Sequence, residues 1–231
     1  MKRVCLNLIC LLLFDLMVFA QKREAVDLGL PSGTLWANMN VGASVPEEYG
    51  DYYAWGEVTT KRYYGYYSNY KHYKTHYSKY NYLPFKSSVM DNRIVLEKKD
   101  DAATVNIGAD WRMPTELEMQ ELLDTCTFRM STLNGTRGYV VKNKSGEGDS
   151  IFLPCTGHID YGNNRIYPST TGYYWSSTLI GRDILAMDVD SIPKDAPRSS
   201  KCMFLGDGVP TLIYVDRRKG CAIRPVYVGK R

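Results

Sequence analysis

An α+β fold is predicted, on three observations. Two short helical stretches fall in the middle of the chain, near 100–107 and 115–126. After Gly135 the sequence becomes a series of short extended runs, separated by loops rich in Gly, Asn, Asp and Pro. Ahead of the helices lies a tyrosine-rich stretch with neither a helical nor a strand period. Helices followed by many short strands fit an α+β domain of twisted, mostly antiparallel strands with one irregular excursion.

The chain begins with Met1-Lys2-Arg3 and an apolar run from Val4 to Ala20, and Val18-Phe19-Ala20 precedes Gln21. A cationic start, an apolar centre and a small residue at the end have the layout of a secretory signal, with cleavage expected near Ala20. An uncleaved anchor is the competing reading, but Asp15 interrupts a run at the lower limit for crossing a bilayer. The expectation is a signal peptide at 1–20 and one domain at 21–231, secreted or held at the cell surface or in the periplasm. No later segment has the length for a membrane span.

Residues 25–58 read as strands and turns. Val26 to Leu30 alternates, Pro31-Ser32-Gly33 turns, and Thr34 to Ala37 extends again. From Tyr49 to Tyr82 there are twelve tyrosines, and no acid lies between Glu57 and Asp91, where Lys61, Arg62, Lys71, Lys74, Lys79 and Lys86 fall. This basic loop insertion, 59–90, reads either as a folded-down loop or as a contact surface, because tyrosine offers large amphipathic area at small entropic cost.

Asp100-Asp101-Ala102-Ala103 reads as a capped helix stopped by Gly108. In Trp111-Arg112-Met113-Pro114-Thr115, Thr115 caps the next helix and Glu118 completes a capping box. Met119, Leu122, Leu123 and Cys126 then share one helical face. Six later segments read as strands: 138–141, 150–155, 173–177, 186–189, 212–215 and 221–226.

Composition narrows the function classes. Hydrophobic residues make up 44% and charged residues 23%, with a formal net charge of +4, which excludes a disordered tail, a collagen and a coiled coil. The near-neutral balance and the expected export argue against nucleic acid as a partner. His72 and His76 have metal-like spacing, but Tyr73 stands where HExxH has its acid, and loop histidines are the simpler reading. Cys155 and His158 are three apart, yet a core or disulfide cysteine beside a loop histidine is the simpler reading there too. Asp100-Asp101 suit helix capping better than calcium, since no EF-hand loop follows. Arg217-Arg218-Lys219 reads as a solvated turn. No phosphate loop and no nucleophile elbow occurs, so no cofactor, metal or catalytic residue is assigned. Cys126, Cys155, Cys202 and Cys221 would remain after cleavage, as disulfides in one of three connectivities or as unpaired core residues.

Several of these blocks together resemble one family. Val26–Ala37, Tyr49–Glu57, Asp100–Ala103, Trp111–Thr115, Ile151–Pro154, Gly172–Thr178 and Ile223–Val226 are similar, in order, to the Fibrobacter succinogenes major paralogous domain. The resemblance implies a C-type-lectin-like fold, related to formylglycine-generating enzymes and to variable receptor-binding proteins. It makes Trp111, Arg112, Pro114, Thr115, Glu118, Trp175 and Arg224 structural residues of that fold. The closely spaced catalytic cysteines of the enzyme branch are not matched, nor are the sugar–calcium triplets of true C-type lectins. Cys155 and Cys221 stand where the family is expected to have small residues, so a Cys155–Cys221 disulfide peculiar to this chain is implied.

In such folds the second-half sheet and its loops usually display the ligand. That places a candidate surface at Tyr161, Asn163, Asn164, Arg165, Tyr167, Tyr214 and Asp216, with the 59–82 tyrosines as an alternative. The expected function is a non-catalytic binding or adhesion module for an extracellular glycan or protein. An oxidase-type enzyme and a structural subunit of a surface polymer are the alternatives.

Overall fold

A computed structural model describes residues 22–65, 69–71, 77–83, 89–162 and 164–229. The N-terminal run up to Ala20, the pair His72 and His76, and Asn163 lie outside the described residues.

The chain opens with β1 (Ala25–Asp27) and β2 (Leu35–Ala37), which pair antiparallel. Helix α1 (Ala102–Ile107), β3 (Trp111–Arg112) and α2 (Glu116–Thr125) follow. A hairpin ladder of β4 (Cys126–Leu133), β5 (Thr136–Asn143) and β6 (Ser150–Pro154) comes next. Then come the short pair β7 (His158–Ile159) and β8 (Arg165–Ile166), and β9 (Gly172–Trp175). Helix α3 (Arg182–Leu185) precedes β10 (Ser199–Leu205) and β11 (Thr211–Asp216), and β10 sits between β9 and β11. The last strand, β12 (Val226–Tyr227), inserts between β2 and β3 and so ties the two ends of the chain together. All these named strand pairs are antiparallel, as expected.

Both helices start as their sequences dictate. Asp101 accepts from Thr104 N at 3.0 Å, and its other oxygen accepts from Met113 N at 2.9 Å. Both acceptances fix β3 against α1, so Asp101 is a cap with a second structural task. Thr115 and Glu118 form the capping box, and Glu118 also takes a two-pronged contact from Arg112 at 2.5 and 2.7 Å. Met119, Leu122 and Cys126 are buried.

Three stretches differ from expectation. Residues 186–189 are not a strand: α3 ends at Leu185 and a 3-10 turn spans Val189–Ser191, and Ala186 N and Met187 N donate back to Arg182 O and Ile184 O rather than across a ladder. Cys126, expected on the helix, and residues 127–133, for which no element was expected, form β4, because Asn134 and Gly135 take φ of 46° and 83° and close a two-residue hairpin. Residues 199–205 form a nearly wholly buried central strand, with Lys201 held by Asp183 at 2.8 Å and Glu116 at 3.6 Å. In the predicted strand 221–226 only Val226 joins β12, and Cys221 and Ala222 make single bridges to Tyr53 and Tyr174.

The core has one cluster around Trp55 and Trp175 and another around Trp36, Met119 and Tyr174. The four cysteines are free and buried. Cys155 packs in the Trp36 cluster and Cys221 in the Trp55 cluster beside Cys202, so the implied Cys155–Cys221 bridge is not formed. The Tyr173–Trp175 strand runs through both clusters, since alternate residues of a strand face opposite sides.

Arg224 is fully buried. Its guanidinium donates to Asn40 Oδ1 at 2.8 Å, Ala37 O at 3.0 Å and Phe152 O at 2.8 Å, so it joins β2, the loop after it and β6. No carboxylate neutralises it among the described residues, and burial lowers its pKa from 12.5 to about 10. Arg224→Met leaves those three acceptors unsatisfied and is predicted to cost ~3–5 kcal/mol of unfolding free energy in urea titrations. Thr115→Ala is predicted to cost only ~1 kcal/mol. Equal small losses in both variants would contradict this ordering.

Candidate functional site

Most of the tyrosine-rich segment is structural. Tyr52, Tyr53, Tyr64, Tyr70, Tyr77 and Tyr80 are buried and Tyr63 is exposed, so among the described residues the segment follows the folded-down alternative more than the contact surface. Their hydroxyls find internal acceptors, as buried phenols must. Tyr52 donates to Thr156 O at 2.5 Å, Tyr64 to Tyr52 O at 2.5 Å, Tyr70 to Trp55 O at 2.6 Å and Tyr80 to Asp100 at 2.7 Å.

Charges pin the same segment. Asp100 accepts from Lys71 and Lys79 as well as Tyr80, which holds its carboxyl well below the usual range despite burial. It is therefore a structural ion-pair centre. Arg217 stacks 3.9 Å from the Tyr77 ring centroid and donates to Tyr80 O at 3.1 Å. Arg217 and Arg218 are buried, so the expected solvated turn at 217–219 is a clamp: Gly65 N donates to Arg218 O, and Lys219 pairs with Asp160 at 3.0 Å.

The segment meets the β7–β8 hairpin. Tyr64 N donates to Gly162 O at 2.9 Å. Gly65 has φ of 85°, and a Cβ there would collide with the Asp160 carboxyl, so only glycine lets the two backbones approach. The other edge of β7 pairs with Gly220, through Ile159 N to Gly220 O at 2.7 Å.

Between these elements lies a cleft of about 820 Å³, lined by Asp51, Tyr52, Thr60, Lys61, Asn164 and Arg165 among others. Of the two alternative surfaces, Asn164 and Arg165 of one and Tyr64 of the other line this cleft. Lys61 is held by Glu57 at 2.6 Å. Arg165 lies over the rings of Tyr49 and Tyr52, at 5.3 and 5.4 Å from their centroids. It has no carboxylate partner among the described residues. Burial raises the Tyr52 pKa, with Arg165 opposing, so Tyr52 stays a neutral ring. Asp51 accepts from Tyr53 Oη at 3.2 Å, and its carboxyl lies over Gly42, where a Cβ would displace it.

Of the expected ligand residues, Asn164 and Arg165 line the cleft. Tyr161 and Tyr167 stand exposed on the same hairpin, at φ of 48° and 54°. Tyr214 and Asp216 do not join them. Tyr214 Oη donates to Asp183 at 2.8 Å, and Asp216 takes Arg218 Nη2 at 2.5 Å, so both serve structural ion pairs along β11. Asp51, Tyr52, Thr60 and Lys61 were missed as site residues. The Tyr49-Gly50-Asp51-Tyr52 run, an acid and a glycine set among aromatics, was the available signal.

Other candidate chemistry is absorbed by the core. Burial pushes the Cys126 thiol up to about 11 and raises Cys155 and Cys221 as well. His158 packs against the Tyr173 ring at 4.5 Å and does not activate Cys155. Among the described residues no cluster of three or more His, Cys, Asp or Glu is placed to hold a metal ion, and no helix is long and apolar enough to cross a membrane.

His158 carries a pH prediction. Its Nδ1 has no partner, and burial with Lys219 nearby lowers its pKa from 6.5 to about 4. The unfolded chain therefore takes up a proton that the folded protein refuses, and stability falls as pH drops from about 6.5 through about 4. His158→Phe is predicted to flatten that part of a stability–pH curve and to leave the loss below pH 4, carried by Asp100, in place. An unchanged slope in the variant would remove His158 as its source.

Comparison with family models, with curated proteins and with solved structures gives no match to this chain.

Proposed function

We propose that this protein is an exported, non-catalytic binding module of C-type-lectin-like fold, and that it presents the cleft between the tyrosine-rich segment and the β7–β8 hairpin to an extracellular glycan or protein. The observation that carries the reading is Arg165: a cation laid on two tyrosine rings in a polar cleft, with no carboxylate of its own. Clefts of this size with a few convergent polar groups are the usual form of a ligand site. The secretory layout of the N-terminus supports export. The buried, high-pKa thiols support binding over thiol chemistry. The resemblance to the major paralogous domain supports the fold, and its Trp111, Arg112, Pro114, Thr115, Glu118, Trp175 and Arg224 all serve packing, caps or internal hydrogen bonds.

Asn164 is exposed on the cleft wall, so Asn164→Trp fills the cleft without disturbing the core. A glycan and protein screen is predicted to yield a ligand that Asn164→Trp weakens by at least about tenfold, with the melting temperature unchanged. A folded wild-type protein that binds nothing, or a ligand indifferent to Asn164→Trp, would refute the cleft.

A further inference from the structure

We infer that the cleft takes acidic saccharides, with a sugar carboxylate on Arg165 and sugar hydroxyls on Asp51 and Asn164. The inference rests on the reading of the cleft as the ligand site and names the chemistry of its occupant.

The carboxylate follows from charge. Of the two cations lining the cleft, Lys61 is already matched by Glu57 at 2.6 Å. Neighbouring Arg218 and Lys219 are matched by Asp216 and Asp160. Arg165 alone on the lining has no acid among the described residues. Its guanidinium lies over the rings of Tyr49 and Tyr52, and among the described residues its N–H groups have no hydrogen-bond acceptor. A fork held in this way is suited to a carboxylate, which it can bind through two parallel hydrogen bonds.

The saccharide follows from the rest of the wall. Tyr49 Oη is engaged with Ser169 Oγ at 2.9 Å, and the hydroxyls of Tyr52 and Tyr64 donate to backbone carbonyls. The tyrosine hydroxyls are therefore spent on internal partners, and Tyr52 and Tyr64 are themselves buried. Asp51 has no ion-pair partner among the described residues and is a second polar group on the lining, a carboxylate acceptor. With Thr60 and Asn164 also on the lining, the wall offers several groups able to hydrogen-bond sugar hydroxyls. Among the described residues Ile159 is the only aliphatic side chain on the lining, which favours a polar occupant over a peptide's apolar residue. A volume of about 820 Å³ accommodates a short oligosaccharide.

Calorimetric titration tests this with a panel of short galacturonate, glucuronate, mannuronate and sialylated oligosaccharides, each beside its carboxyl-reduced counterpart. At least one acidic member is expected to bind roughly 10- to 100-fold more tightly than its reduced form, since one charge-assisted pair is at stake. Arg165→Gln, at an exposed position, is expected to erase that preference without lowering the melting temperature, and Asn164→Trp to abolish binding of both forms. Reduced sugars binding as well as acidic ones, still blocked by Asn164→Trp, overturn the acidic inference and leave the cleft standing. An acidic peptide that binds where no saccharide does overturns it likewise. If a ligand from any class binds and none responds to Asn164→Trp, the cleft reading falls as well.

Discussion

A guanidinium taken out of water without a counter-ion is tolerated only where other acceptors replace the water it lost. Arg224 is in that position, and its partners sit on three separate pieces of chain: Ala37, Asn40 and Phe152. Because each acceptor needs the arginine as much as the arginine needs them, β2, the loop after it and β6 are fixed at once. The network continues outward. Asn40 Nδ2 donates to Tyr49 O at 2.9 Å, and the Tyr49 ring supports Arg165. Val41, next in the chain, donates to Ile223 O and accepts from Asp51 N. The buried arginine thus sets the height of the cleft floor two contacts away.

Arg217 plays the corresponding part in the tyrosine-rich segment. It has no carboxylate partner among the described residues and is compensated by the Tyr80 and Pro197 carbonyls and by the faces of Trp55 and Tyr77. Together with the Asp100 ion pairs it turns a stretch poor in regular hydrogen bonding into a third, tyrosine-built core. Tyrosine suits this task because its ring buries area while its hydroxyl satisfies a carbonyl that no ladder reaches. Among the described tyrosines of the segment most are taken up by packing, whereas Tyr63 is exposed.

The α+β class, the two helix caps and most later strands were legible in the sequence, because caps and alternating apolar runs act locally. Asp101, Thr115 and Glu118 each bond within three residues of themselves in the chain. The Asn134-Gly135 turn was equally local and was passed over, which hid β4. The burial of Lys201 and Arg217 was not legible, since their partners Asp183, Glu116, Tyr80 and Pro197 are distant in sequence. The site was half legible for the same reason. Asn164 and Arg165 stood out on a polar loop, whereas Asp51 and Thr60 become site residues only when Tyr64 bridges to Gly162.

The central claim is that, of the two cations lining the cleft, Arg165 lies over the Tyr49 and Tyr52 rings with no carboxylate partner among the described residues. The most direct measurement is a crystal structure of the protein with the best-binding acidic oligosaccharide. The account predicts a sugar carboxylate within hydrogen-bonding distance of the Arg165 guanidinium, with the ring stack on Tyr49 and Tyr52 preserved. A sugar bound elsewhere, or Arg165 swung away to pair with an acid of its own chain, would contradict it.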